Sequence, residues 1–187
     1  MKYIKTKRLI LRDWKESDIP KFIKLNGDKD VRRYFPHIAT PEESKEFVLS
    51  AQSDIDARGF GLFAVERRDT NEFIGFTGVQ VWEEEGPLKL HFLPTIEIGW
   101  RFAKQHWNQG FATEAALGVV KFVERNTDIK EIYAYSSSIN YPSINIMLKL
   151  GMQKVQSFEH PLIMDGHSLK THVVYKTDVK KRHRFRL

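Results

Sequence analysis

The chain has 187 residues, 41% of them hydrophobic and 29% charged, which is enough for one domain with a full core and short for two. It has no cysteine, which excludes a disulfide framework, a thiolate nucleophile and a zinc–thiolate site; with a charged N-terminal segment and no apolar run near the roughly 18 residues of a membrane span, a soluble cytoplasmic protein is expected. The formal charge of +6 is local, because Lys180, Lys181, Arg182, Arg184 and Arg186 are five of the 30 basic residues and the remaining 25 stand against 24 acidic ones; residues 1–179 read as one near-neutral domain, and 180–187 as a solvated basic tail rather than a nucleic-acid site.

Thr6 to Arg12 alternates as a strand, and Ser17, Asp18, Ile19 and Pro20 open a short helix carrying Phe22, Ile23 and Leu25. Residues 27–40, rich in Gly, Asp and Pro, read as an irregular loop with Tyr34, Phe35 and Pro36 at its tip. Thr40-Pro41-Glu42-Glu43 is a capping-box start for a helix that carries Phe47, Val48, Ala51 and Ile55 and stops near Gly59. Gly61 to Arg67 and Glu72 to Trp82 read as a hairpin around Asp69-Thr70-Asn71, followed by a charged turn over Glu83 to Pro87.

The next stretch is the most informative. Ile96, Ile98, Trp100 and Phe102 alternate as one face of a strand over Thr95 to Phe102, leaving Glu97, Gly99 and Arg101 on the other. Ala112, Ala115, Ala116, Val119, Val120 and Val123 then recur at helical steps, so the chain turns between Ala103 and Gly110. Gly110 has no Cβ and Ala112 the smallest one, so a ligand can approach the main chain where first-turn amides lack helix partners and the helix dipole adds positive charge. This is a socket for an anion such as a diphosphate, with no need for lysine. Read from the glycine alone, a plain turn with close helix packing is the better fit, because a single glycine before a helix is common. Glu131 to Ser136 reads as a strand; Pro142 starts a helix with a stripe of Ile144, Met147 and Leu148, which Gly151 ends. Gln153 to Phe158 and Thr171 to Thr177 close the chain as strands. The helical crossover from the socket strand to the Ile132 strand implies a parallel step within an otherwise antiparallel, mixed sheet.

The run Glu97 to Ala116 resembles the acetyl-CoA-binding core of the GCN5-related N-acetyltransferases (GNAT), within them the RimJ/RimL-like branch. The family loop Gln/Arg-x-x-Gly-x-Gly/Ala falls on Trp107 to Ala112; Gly110 and Ala112 fit, and Trp107 replaces the leading residue. The branch version, Trp-Gly-x-Gly-Tyr-Ala-Thr-Glu-Ala, differs here at Asn108 and Phe111, which makes Asn108 a candidate cap or contact outside the family pattern. A second patch, Asn-x-x-Ser before a helix ending in Gly-Met, maps onto Asn140, Ser143, Gly151 and Met152, and Thr6 to Arg12 is a family-like opening.

The resemblance implies an α/β fold, a mixed and centrally splayed sheet flanked by helices, and an enzyme that transfers acetyl from acetyl-CoA to a primary amine by direct attack, without a metal, as a monomer or homodimer. It implies that Trp107, Asn108, Gln109, Gly110, Phe111, Ala112 and Thr113 hold the cofactor's diphosphate. The main chain at Ile98 would polarise the thioester, Asn140 would bind the pantetheine arm, and Ser143 would protonate the sulfur. Glu97, a carboxylate mid-strand beside the cofactor, is the candidate base, and it reads equally as a strand-face glutamate paired with Arg or Lys. Glu114 is a weaker candidate, accounted for by the helix dipole. Asn140 and Ser143 also fit a simple helix start. His160, His167 and His172 have no helix-face ligand spacing; with Tyr34, Phe35, Trp82 and Phe92 they are candidates to line the acceptor entrance. The competing classes are a non-catalytic CoA-sensing or RNA-binding module, and a dinucleotide oxidoreductase. The latter is disfavoured because the three-glycine fingerprint is absent and Glu131 precedes its strand.

Overall fold

The computed structural model describes residues 1–82 and 95–179. The expected charged turn at Glu83 to Pro87, Phe92 and the basic tail lie outside them. The described strands are β1 (Lys2–Lys5), β2 (Leu9–Arg12), β3 (Leu62–Arg67), β4 (Phe73–Trp82), β5 (Thr95–Phe102), β6 (Glu131–Ser137), β7 (Gln153–Glu159) and β8 (Thr171–Asp178). The helices are α1 (Ile19–Asn26), α2 (Lys29–Arg32), α3 (Pro41–Arg58), α4 (Phe111–Asn126) and α5 (Tyr141–Lys149). The strands form one mixed sheet in the order β1-β2-β3-β4-β5-β6-β8-β7, an α/β arrangement with helices flanking it. Two compact units are distinguished, residues 1–80 with 99–119 and residues 81–98 with 120–187.

In the first unit, β1 to β4 pair antiparallel in sequence order. β1 escapes the sequence pattern because it is short and polar at Lys2 and Lys5, and the family-like opening shrinks to Leu9–Arg12. The Asp69-Thr70-Asn71 turn forms as read, with Asn71 in the left-handed region at φ 57°. Thr40 and Glu43 complete the capping box of α3, Pro41 follows the cap, and Gly59 ends the helix at φ 73°. α1 starts one residue later than read, after a 3-10 turn at Glu16–Asp18. Loop 27–40 contains a further short helix, α2, capped by Asp28 through the Asp30 N–H at 2.8 Å. Four residues carry no periodicity, so the sequence hides it.

The core of this unit is a cluster of Trp14, Phe22, Phe47, Phe73 and Phe76, with Trp14 and Phe22 centroids 5.2 Å apart. The glycines of β4 permit close strand approach: a Cβ on Gly75, at φ 149°, would lie 2.2 Å from the Arg101 carbonyl oxygen. Arg12, 3% exposed, is held by two buried carboxylates, Asp18 at 2.6 Å and Glu66 at 2.7 Å.

In the second unit, Glu97 of β5 stands opposite Tyr133 of β6 in parallel register. β8 inserts antiparallel between β6 and β7. Asn140 caps α5, Pro142 occupies its second position rather than its first, and Gly151 and Met152 close it through N–H bonds to Leu148 and Met147. The expected stripe on α5 is half right. Met147 is buried, whereas Leu148 is exposed and Leu150 takes the inward place three residues on.

Candidate active site

β5 is not a strand with one wet face. Glu97 and Ile98 are both buried, at 8% and 2% exposure, so the strand is covered on both sides at its middle. The alternation read along β5 therefore does not separate a buried face from a wet one at Glu97 and Ile98.

The socket lies within the first unit. The Trp107 indole N–H donates to the Phe102 carbonyl at 2.8 Å, pinning the loop back onto the end of β5. Asn108 adopts φ 59° and Gly110 φ 78°, two left-handed residues flanking Gln109. Asparagine tolerates that backbone, which accounts for Asn108 standing where the branch pattern has glycine. Phe111 opens α4 with its ring buried, while Asn108, Gln109 and Gly110 are exposed and Ala112 and Thr113 half-buried. The first turn closes with the Glu114 N–H on the Gly110 carbonyl at 3.0 Å, so the amides before it have no acceptor within the helix.

Arginines distant in sequence stand against the socket and were missed, Arg67 over Phe111 and Arg33 over Trp107 among them, and Arg8 makes the hydrogen bonds. Arg8 donates from Nη1 to the Gln109 carbonyl at 2.9 Å and from Nε to Glu114 at 2.6 Å, and its guanidinium carbon lies 4.3 Å from the Phe111 ring centroid. Glu114 also accepts the Arg8 N–H and the Thr6 hydroxyl. Burial alone would raise the Glu114 pKa, but these hydrogen bonds and the Arg8 charge outweigh it and hold it below the ordinary value. Glu114 is thus a structural clamp, more than the dipole partner the sequence shows. No local sequence pattern links residues 8 and 114.

The second unit holds the other candidates. The Trp82 indole N–H donates to Glu97 Oε2. Trp82 meets Tyr135 edge-on at 5.7 Å, and the Tyr135 hydroxyl is pushed well above its ordinary pKa by burial and by the Glu97 charge. Asn140 is used at both ends of its amide, accepting the Ser143 N–H at 3.4 Å and donating to Ser136 Oγ at 2.8 Å. Ser143 is half-buried.

His160 and His172 come together with ring centroids 4.8 Å apart, beside Phe158 and near Tyr135. Burial lowers both imidazole pKa values, which favours their neutral forms. His167 instead accepts the Leu169 N–H, and among the described residues no three potential ligands group for a metal. Tyr34 and Phe35 stack under the guanidinium groups of Arg33 and Arg32 rather than packing into the core.

Residues 8–153 match the family described as Acetyltransferase (GNAT) domain. The chain is 29% identical over 158 residues to the uncharacterized N-acetyltransferase YnaD of Bacillus subtilis (strain 168), covering 84% of this chain and 86% of YnaD. A GNAT-family acetyltransferase from Bacillus anthracis has a solved structure similar at TM-score 0.78 and 26% identity, covering 97% of this chain and 100% of that one. RimL, an alpha-N-protein acetyltransferase solved with coenzyme A, shares the fold at TM-score 0.75 and 15% identity, covering 95% and 98%. With the socket, the strand that leads into it and these matches in hand, the chain belongs to the GNAT acetyltransferase family and is an acetyltransferase enzyme.

Proposed function

We propose that the protein is a cytoplasmic, RimJ/RimL-like N-acetyltransferase, one domain over residues 1–179, that moves the acetyl group of acetyl-CoA to a primary amine in a ternary complex. The observation that carries this is the exposed loop Asn108 to Gly110, whose two left-handed residues bring the chain into the open first turn of α4. Residues Trp107 to Thr113 receive the diphosphate on their main-chain N–H groups, with Arg8 adding charge to that end. The main chain at Ile98 polarises the thioester carbonyl, and Asn140 holds the pantetheine arm.

The amine nitrogen attacks the acetyl carbonyl carbon, the C–N bond forms and the C–S bond breaks. Glu97 takes the proton that the amine loses, and Ser143 gives one to the departing thiolate. The Trp82 indole fixes one oxygen of Glu97. An α-amine, with a reference pKa of about 7.7–8.0, needs less help from that base than a lysine at about 10.4. The test is release of free CoA in a screen of peptides, amino acids, polyamines and aminoglycosides. Amine-dependent release supports the reading, and cofactor binding without release from any amine makes the protein a binding module instead.

A further inference from the structure

Arg101, near the end of β5, is half-buried, and its Nε is sealed from solvent without an acceptor. Its Nη1 donates to the Asn26 side-chain oxygen at 2.7 Å, a neutral partner that is itself tied to Ser44 Oγ at 3.0 Å. Among the described residues no carboxylate stands against it, and the charge that reaches it is another cation, Arg32. The Phe35 ring serves both, 4.4 Å from the Arg101 guanidinium carbon and 4.2 Å from that of Arg32. The acids nearby are engaged elsewhere, Asp30 by Lys104 and Glu43 by His37 and the Thr40 N–H.

The same unit shows what a buried guanidinium ordinarily receives. Arg12 has Asp18 and Glu66; among the described residues Arg101 has an amide and the rings of Phe35 and Phe76. Burial and Arg32 push the Arg101 pKa down to about 9, so the group stays charged at neutral pH with no anion among the described residues to compensate it. With Nη1 committed to Asn26 and Nε covered, Nη2–H is the guanidinium donor left to meet a carboxylate oxygen. We propose that Arg101, with Arg32 and Phe35 beside it, binds a carboxylate of the acceptor, so that the substrate is an amine that also carries a carboxylate. The source is a free amino acid or an acidic N-terminal segment of a peptide.

This rests on the acetyl-transfer reading, and the experiment separates the two. Acceptors are compared in matched pairs, alanine against alaninamide for the free amino acid, and Ala-Glu-Ala-amide against Ala-Gln-Ala-amide for the peptide. In one pair the carboxylate acceptor should lead by at least about tenfold in kcat/KM, and Arg101→Gln should bring that ratio close to one. Arg101→Lys keeps the charge without the planar guanidinium stacked on Phe35; it should lower the ratio too, and it substitutes where Arg101→Gln does not fold. In parallel, calorimetry without acetyl-CoA should show N-acetylalanine or N-acetyl-Ala-Glu-Ala-amide binding more tightly than its amide counterpart, an advantage lost in Arg101→Gln. That advantage without any acetyl transfer would support the carboxylate site and sink the acetyl-transfer reading. Transfer with equal rates for both members of each pair would overturn the carboxylate site. So would a preference for polyamines, which the cleft of about 400 Å³ beside Glu43, Glu46 and Asp54 would favour.

Discussion

The Arg8 guanidinium donates to the Glu114 carboxylate at 2.6 Å, tying a residue just before β2 to the first turn of α4 across 106 positions of sequence. Because Arg8 also holds the Gln109 carbonyl, the clamp fixes the loop and not only the helix. Glu114→Gln should cost about 1–2 kcal/mol in a denaturant melt, discounted for the partial exposure of both groups. It should also weaken acetyl-CoA binding several-fold. An unchanged cofactor affinity would reduce the clamp to a stability device.

The left-handed backbone at Asn108 makes a sharper prediction. Asn108→Gly restores the residue of the branch pattern and should leave cofactor affinity within about twofold, whereas Asn108→Val, which disfavours φ 59°, should destabilise by about 1–2 kcal/mol and loosen the loop. Equal affinities for the Gly and Val variants, read by calorimetry, would contradict a conformational role.

Glu66 links stability to pH. Burial raises its pKa, but hydrogen bonds from Lys15 and Arg12 and their charges outweigh that, leaving it below the ordinary value. A depressed carboxylate contributes stability that is present above its unfolded pKa, about 4.3, and is lost as pH falls from there through the folded value. Glu66→Gln should flatten the stability curve in that acid window. At pH 7 it should cost about 3 kcal/mol, since Arg12 keeps only Asp18. Parallel curves for the two proteins below pH 5 would show that Glu66 is not the linked group.

For the chemistry, Glu97→Gln and Ser143→Ala should each lower kcat by about a hundredfold with acetyl-CoA affinity retained. Trp82→Phe removes the indole donor to Glu97 and should lower kcat less than Glu97→Gln does. Loss of cofactor binding in Glu97→Gln or Ser143→Ala would reassign that residue to structure.

Local signals made much of this legible. The capping box at Thr40 and Glu43, the hairpin turn at Asn71, the alternation along β5 and the stripe of α4 each lie within a few residues of sequence, so one pattern suffices. What stayed hidden depends on long-range partners or on brevity. α2 is too short to show a period, and Arg8 meets Glu114 only through the fold. Arg12 is only the last residue of an alternating run in the sequence, and the fold brings Asp18 and Glu66 to it. Arg101 is one of three residues on a strand face, and nothing local shows that no acid among the described residues stands against it. Likewise Asn140 and Ser143 follow a helix-start pattern whether or not they serve catalysis, so spacing alone does not separate the two roles.

The central claim is that the main-chain amides around Phe111 hold the diphosphate of acetyl-CoA. Its most direct measurement is the thermal shift with acetyl-CoA at about a hundred times its dissociation constant, for the wild type and for Gly110→Glu. That substitution places a negative charge and a side chain at a residue held at φ 78°. The account predicts a wild-type rise of about 5 °C or more, abolished in a folded Gly110→Glu protein. An equal rise in both proteins would contradict it.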